Sequence, residues 1–507
     1  MTPELGSGLS RLLARNMAHN FVGAVIPAFF ALALLPVLTR GMGAAAFGVL
    51  ALSWLVFTYL TDIGLGRAVT KFVADAAARD DGRALPAVVA TSVSIQAVVG
   101  LALGGLLALA VWLGAGVLVA VPPELQAETR MAFLLVAAAV PFVLLASAYR
   151  GVLEAAQRFD LVNAVRVPSS VANYALPAAC VAVGVGLVPI IALLLAARVA
   201  TAAAFLWLAV RAEPRAKVLP RIHAGYVRPM VAFGGWVTLG MVLTPFLTYA
   251  DRLFLAGLAG AGAVGYYVPP AEVVMRMLII PASLVATLFP ALSALSAVGR
   301  PTESAIWQGM KYVTVLVAVP VAAVIAVGEP GLVLWLGPEF GRAAAPVLPV
   351  LALGVVVLSP AYLPMIALQA TGRADLPTRL YLLEIPVFVA LLLVLVPAWG
   401  IVGAAAAWTG RVVLDAALQT LAAARVGLIS ARGARAARVP QALGAAALAV
   451  AGGFAATAAP GVWASAAVLV AALAVSGFVV WRLALEGAER AAVRAWFAAR
   501  PRVEAAP

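Results

Sequence analysis

"LPAVVATSVSIQAVVGLALGGLLALAVWLGAGVLVAV", Leu85–Val121, runs for 37 residues without a charge. About 20 apolar residues cross the roughly 30 Å of bilayer hydrocarbon. The stretch is therefore long for one span, and reading it as two would invert every segment that follows. The loop charges decide between the two readings. With the N-terminus inside and a single span here, 26 of the 34 Lys and Arg residues fall in inner loops or the tail. Only Arg40, Arg130 and Arg342 fall outside. Cytoplasmic loops are enriched in Lys and Arg, so Leu85–Val121 is one span.

The same apolar texture extends in both directions. Of 507 residues, 64% are hydrophobic and 11% charged, against about 25% charged in soluble domains. The apolar runs are continuous rather than alternating, which excludes a barrel. The fold class is an all-α polytopic membrane protein. Fourteen spans are expected, near 19–39, 45–66, 85–115, 131–150, 161–182, 188–210, 230–256, 264–297, 309–328, 343–369, 379–397, 401–424, 441–459 and 463–482. The formal charge of +13 belongs to the inner loops and does not point to nucleic acid. The first apolar run follows Arg11 and Arg15 and lacks a small-residue cleavage site, so it reads as the first span and not a signal peptide. Cys180 is the single cysteine, so disulfides, cysteine-ligated zinc and iron–sulfur clusters have no support. His19 and His223 lie far apart, and no metal site is expected. The loops leave no room for a catalytic domain, which argues against an enzyme. The tail "EGAERAAVRAWFAARPR", Glu486–Arg502, reads as an amphipathic helix on the inner membrane surface, or else as a frayed basic tail.

An internal repeat is visible. "GAAAFGV" at Gly43–Val49 matches "GAGAVGY" at Gly260–Tyr266. "RFDL" at Arg158–Leu161 parallels "RADL" at Arg373–Leu376, and Arg198-Val199 parallels Arg411-Val412. The offsets are 217, 215 and 213 residues. The chain divides accordingly into a six-helix bundle at 1–222, a second at 223–428, two further helices at 429–485 and a basic tail at 486–507. Two bundles of six share one orientation, a transporter plan with its site between the halves near the midplane.

Five basic residues remain inside spans: Arg166, Arg198, Arg252, Arg276 and Arg411. Their acidic companions are Asp251, Glu272, Glu384 and Asp415. A charge at the centre of a spanning helix costs about 2.5–3.5 kcal/mol and faces a cavity or a partner. Glu272 and Arg276 lie four residues apart on one helix face, as do Arg411 and Asp415. Self-neutralising pairs are one reading for Arg411 with Asp415 and for Arg166 with Glu384. Arg276 and Arg198 are the stronger candidates for an anionic substrate, because a guanidinium presents a planar fork to phosphate oxygens. Arg411 joins them through its repeat position. Glu272, Asp415, Asp251 and Glu384 are candidate coupling or gating acids, with Asp251 expected near the outer headgroups. Pro269 and Pro270 are expected in a first helical turn. Pro281 and Pro290 are expected to kink span eight, and Pro27 and Pro36 span one. Trp54, Tyr174, Tyr249, Tyr266 and Tyr267 are candidate sugar-stacking or interfacial aromatics.

Four stretches carry a family resemblance: "LLPVLTRGMGAAAFGVLAL" at Leu34–Leu52, "LTDIGLGRAVTKFVAD" at Leu60–Asp75, "YADRLFLAGLAGAGAVGYY" at Tyr249–Tyr267 and "LVPAWGIVGAAAAW" at Leu395–Trp408. Together they resemble the polysaccharide transporter family of Wzx-type lipid-linked oligosaccharide flippases, over about residues 15–425. The resemblance implies two six-helix bundles around a V-shaped cavity. It implies alternating access that carries an undecaprenyl-diphosphate oligosaccharide to the outer leaflet of the bacterial cytoplasmic membrane, with both termini inside. It also implies contact with membrane lipids and with polysaccharide polymerase machinery, and cavity arginines that hold diphosphate and sugar acids. That role carries to Arg276, Arg198 and Arg411. No organic cofactor is expected, and the coupling ion, sodium or proton, stays open. Peptidoglycan-precursor flippases place arginines in the first span, whereas Phe21–Leu38 has no charge here. A cation-coupled multidrug or metabolite exporter of the same superfamily remains the alternative, sustained by Glu272 and Asp415.

Overall fold

The computed structural model describes residues 3–61, 65–78, 84–114, 121–373 and 375–498. Asp62–Gly64, Arg79, Arg83 and residues 115–120 of the Leu85–Val121 stretch fall outside them, as do Arg500 and Arg502 in the tail. Every regular element among the described residues is helical. The long helices are α1 (Pro3–Thr61), α3 (Ala84–Trp112), α4 (Pro123–Ala155), α5 (Phe159–Ala182), α6 (Leu187–Ala212) and α7 (Ala224–Ala259). They continue with α8 (Ala261–Arg276), α9 (Ile279–Ala297), α10 (Glu303–Leu336), α12 (Val347–Ala370), α13 (Asp375–Arg425), α15 (Val439–Thr457) and α16 (Val462–Val479). Shorter helices are α2 (Leu65–Ala78), α11 (Pro338–Ala344), α14 (Ala431–Ala436) and α17 (Gly487–Ala498). Ten helices among the described residues are long and apolar enough to cross a membrane. Glycines interrupt α1 at Gly43, α10 at Gly328 and α13 at Gly400, and α1 and α13 each hold two of the expected spans.

The decisive stretch folds as the loop charges require. α3 is one uninterrupted helix of 29 residues, about 43 Å long at 1.5 Å per residue. The stretch after span two, read as a loop, instead contains α2. Its apolar face (Ala68, Val69, Val73 and Ala76) is buried against neighbouring helices.

Span eight breaks one turn before its first expected kink. α8 ends at Arg276 and α9 begins at Ile279. Pro281 has no N–H for the carbonyl of Met277, four residues back. That carbonyl instead accepts from Ile280 N at 3.1 Å, a tighter three-residue turn. Pro269 and Pro270 are a correction: they lie deep within α8, not in a first turn, because the helix starts earlier, at Ala261. Proline inside spanning helices is tolerated where neighbours satisfy the freed carbonyls.

The repeat has structural signatures. Gly43 (φ 74°, ψ 168°) and Gly260 (φ 89°, ψ 166°) break their helices with nearly the same backbone, one that L side chains disfavour. The turns before α5 and α13 share a hydrogen-bond pattern. Arg158 N donates to Leu153 O at 2.9 Å, and Arg373 N donates to Leu368 O at 2.8 Å. These six-residue closures end both helices with a Schellman turn. Both arginines then pair with the aspartate two residues on, Asp160 and Asp375.

The chain forms two compact units. The first comprises Met1–Pro269, Val333–Ala343 and Leu392–Ala404, and the second Pro270–Leu332, Ala344–Leu391 and Ala405–Pro507. In the first, α4 packs on α2, α3 and α6, and α1 packs on α5. Its core includes Val69, Val88, Val93, Tyr149, Leu153 and Phe205. In the second, α9 packs on α12 and α15 on α16. Ala446 and Ala449 of α15 meet Ala318 and Ala322 of α10, the small-residue packing that brings spanning helices close.

The tail helix is anchored to the second unit. Lys311 of α10, 1% exposed, donates to both carboxylate oxygens of Glu489 at 2.6 and 2.8 Å, and Tyr312 donates to the same group. Burial raises the Glu489 carboxyl, but the Lys311, Tyr312 and Glu486 N–H bonds outweigh it and hold it below the ordinary 4.5. A depressed carboxyl contributes its stabilisation fully above pH 4.5 and loses it as pH falls through the lowered value. Glu489→Gln leaves Lys311 buried without its counter-charge, a loss of about 3–5 kcal/mol. Limited proteolysis is expected to cut after Leu485 much faster in this variant, and in the wild type at acid pH. Equal cutting rates at neutral pH would refute the anchor.

Candidate functional site

The first unit contains a cavity of about 80 Å³ between α4, α5 and α6. A water needs roughly 10–15 Å³ of such space, so the cavity has room for several waters or one phosphate-sized group. Its lining includes Arg150, Arg166 and Arg198 with the hydroxyls of Ser147, Ser169, Ser170 and Thr201, and no carboxylate. Its lining falls in the half of the bundle toward the turn from α4 to α5.

Helical spacing builds the cluster. Ser147 and Arg150 are three residues apart on α4, Arg166 and Ser169 three apart on α5, and Arg198 and Thr201 three apart on α6, so each pair shares a face. Arg198 Nη2 donates to Asn173 Oδ1 at 2.6 Å, and its guanidinium lies 4.7 Å from the Phe57 ring centre. An amide oxygen and a ring orient the cation without cancelling its charge. Arg198 Nε and Ser147 Oγ are buried with no hydrogen-bond partner. Arg166 donates to Asn163 at 2.8 Å, and Arg150 pairs with Glu154 at 3.5 Å. Beside Phe57, Trp54 packs on Tyr174 at 4.8 Å between ring centres. Two of the candidate stacking aromatics thus meet each other.

Asp251 is 2% exposed and accepts from Tyr267 Oη and from Arg252 N at 2.8 Å. Tyr267 from α8 covers it, so the carboxylate is buried and does not face outward. Arg252 lies 4.9 Å from the Tyr249 ring centre.

In the second unit, the spacing of Glu272 and Arg276 produces the expected ion pair, at 2.9 Å on a partly exposed face. The other intramembrane charges pair differently from their sequence spacing. Arg411 Nη1 meets Glu384 Oε2 at 3.5 Å rather than Asp415, and Asp415 accepts from Gln419 Nε2 at 3.1 Å. Glu384 is 0% exposed, and Arg411, Asp415 and Gln419 are buried. Arg166 and Glu384 therefore each have partners other than one another.

Sequence reasoning missed Arg150, which it placed in an inner loop, and the four hydroxyls. A usable signal was present: a serine or threonine one turn from each of the three arginines.

The sequence profile of a family described as polysaccharide biosynthesis protein matches residues 13–296. The chain is 29% identical over 412 residues to the "Putative O-antigen transporter" of Shigella flexneri, covering 80% of this chain and 96% of that protein. Among solved structures, the lipid II flippase MurJ in its inward closed conformation is similar with a TM-score of 0.74 at 11% identity. The match covers 92% of this chain and 99% of MurJ. A multidrug resistance MATE family transporter in an inward-facing conformation gives a TM-score of 0.66 at 14% identity, covering 80% and 97%. Identities this low show a shared multi-pass helical fold alone.

Proposed function

We propose, from the premise that this chain belongs to the polysaccharide biosynthesis protein family, that it is a flippase for lipid-linked oligosaccharides. It moves undecaprenyl-diphosphate-linked repeat units from the inner to the outer leaflet of the bacterial cytoplasmic membrane. Both termini lie inside, and the product feeds a surface-polysaccharide polymerase. The chain acts as a transporter, not an enzyme.

The observation that carries this reading is the carboxylate-free cavity of three arginines and four hydroxyls. A lipid-diphosphate sugar offers phosphate oxygens for guanidinium forks and hydroxyls for Ser and Thr. The cavity suits one phosphate or one sugar carboxylate, so it holds the anionic head of the substrate and leaves the glycan outside. Arg276, on a partly exposed face of the second unit, is a further cation for the substrate, with Glu272 tempering it. The alternative of a cation-coupled exporter is favoured by the buried acids Glu384 and Asp415.

Deleting the gene tests the proposal. Lipid extraction and mass spectrometry should find a lipid-diphosphate repeat unit accumulating on the inner leaflet, cleared by the wild-type chain. Normal surface glycan with no accumulated intermediate, in a strain without a second copy, would refute it. Loss of dye efflux in that strain would establish the exporter instead.

A further inference from the structure

We propose that the face of α5 one turn beyond the anion cavity, Asn173 and Tyr174 together with Trp54 of α1, is a subsite for a pyranose ring, the sugar joined directly to the bound phosphate. This rests on the flippase reading and adds to it the position of the first sugar of the glycan.

The starting point is the composition of α5. At 24 residues it is long enough to cross a bilayer, yet it is not among the ten described helices apolar enough to do so. The reason is a row of polar side chains, Asn163, Arg166, Ser169, Ser170, Asn173 and Tyr174. At 3.6 residues per turn they share one side of the helix. Ala164, Pro168 and Ala179, all exposed, fall on the other. Polar groups are costly against hydrocarbon, and this row is turned away from it. Ser169 meets Thr201 of α6 at 2.9 Å, and Tyr174 meets Trp54 of α1.

The cavity covers only part of the row. Arg166, Ser169 and Ser170 line it, whereas Asn173 and Tyr174 do not. Those two follow four residues later, about 6 Å further along the axis. Two amides of the row each hold an arginine, and they differ in what they have left. Asn163 Oδ1 accepts from Arg166, and its Nδ2 donates to Phe159 O at 2.9 Å. Asn173 Oδ1 accepts from Arg198, and its Nδ2 donates to no described residue. Beside it the Tyr174 and Trp54 rings pack at 4.8 Å, tilted by 55°, and both stay partly exposed.

This set suits a sugar. A pyranose offers hydroxyl oxygens to an amide N–H and a face of C–H bonds to an aromatic ring. A second phosphate fits poorly, because the subsite adds no cation to Arg198. An acyl chain fits poorly, because it leaves the amide without a partner. Arg198 joins the two places: it lines the cavity, and Asn173 holds it.

The test titrates the full chain in detergent micelles by isothermal calorimetry. The probes are inorganic phosphate and the 1-phosphates of glucose, galactose and N-acetylglucosamine, which add one ring to the same anion. At least one sugar phosphate is expected to bind wild type more tightly than phosphate does. Tyr174→Ala and Trp54→Leu should each cut that advantage about 2- to 12-fold, the effect of losing one aromatic contact. Tyr174→Phe should keep it, and phosphate binding should not change in these three variants. Ala164→Leu, on the exposed side, should alter neither affinity. Equal binding of phosphate and all three sugar phosphates by wild type, or an advantage that survives both ring removals, overturns the subsite. So does an equal fall for phosphate and sugar phosphate, which would make the rings mere supports for Arg198. The flippase reading fails separately: it falls if the deletion strain accumulates no intermediate while the sugar-phosphate advantage stands.

Discussion

Gly48→Leu and Gly265→Leu are each expected to abolish export and to destabilise the purified protein to the same degree. A Cβ at Gly48 would lie 2.7 Å from the Ala261 carbonyl carbon and closer still to its oxygen. One at Gly265 would lie 2.9 Å from the Ala44 carbonyl carbon, again with the oxygen nearer. The obstacle in both cases is backbone, which cannot swing aside as a side chain can. Over-packing ordinarily costs about 1–3 kcal/mol, and a whole Leu against a carbonyl belongs at or above the top of that range. The contact is reciprocal at the repeat offset: Ala44 and Gly48 correspond to Ala261 and Gly265. The second arm of α1 and the start of α8 therefore cross like halves of an isologous interface. The check is thermal unfolding alongside surface-glycan staining. Unfolding midpoints unchanged in both variants would show that the helices do not cross this closely.

Arg198→Ala is expected to insert normally yet lose most transport. A hydrogen bond to a charged group contributes about 1.5–3 kcal/mol, which corresponds to a factor of roughly 10–150 in binding. Isothermal titration of the purified chain with inorganic diphosphate should show a loss in that range. Arg198→Lys should recover little, because Lys lacks the fork and the flat face held between Asn173 and Phe57. Unchanged diphosphate binding in Arg198→Ala would remove the cavity from the mechanism.

What the sequence made legible was whatever depended on neighbours along the chain. The single crossing at α3 followed from loop charge. The Glu272–Arg276 pair followed from a spacing of four. The repeat followed from glycines whose backbone no other residue adopts easily. What stayed hidden depended on which helix faces which. Arg411 has Asp415 one turn away, yet its partner is Glu384, 27 residues earlier on the other arm of α13. Asp251 is covered by Tyr267 from the next helix. Arg150 looked like an ordinary loop cation until α5 and α6 brought Arg166 and Arg198 beside it. Helical periodicity reports the face a residue occupies, and packing alone decides what that face meets.

The reciprocal glycine crossing has an evolutionary consequence. After a duplication, two gene halves normally drift apart independently. Here a change in either copy of the Ala–Gly pair is felt at once by the other copy. A substitution at Ala44, Gly48, Ala261 or Gly265 therefore acts on both halves of the repeat at once, and tolerance at one pair depends on the residues kept at the other.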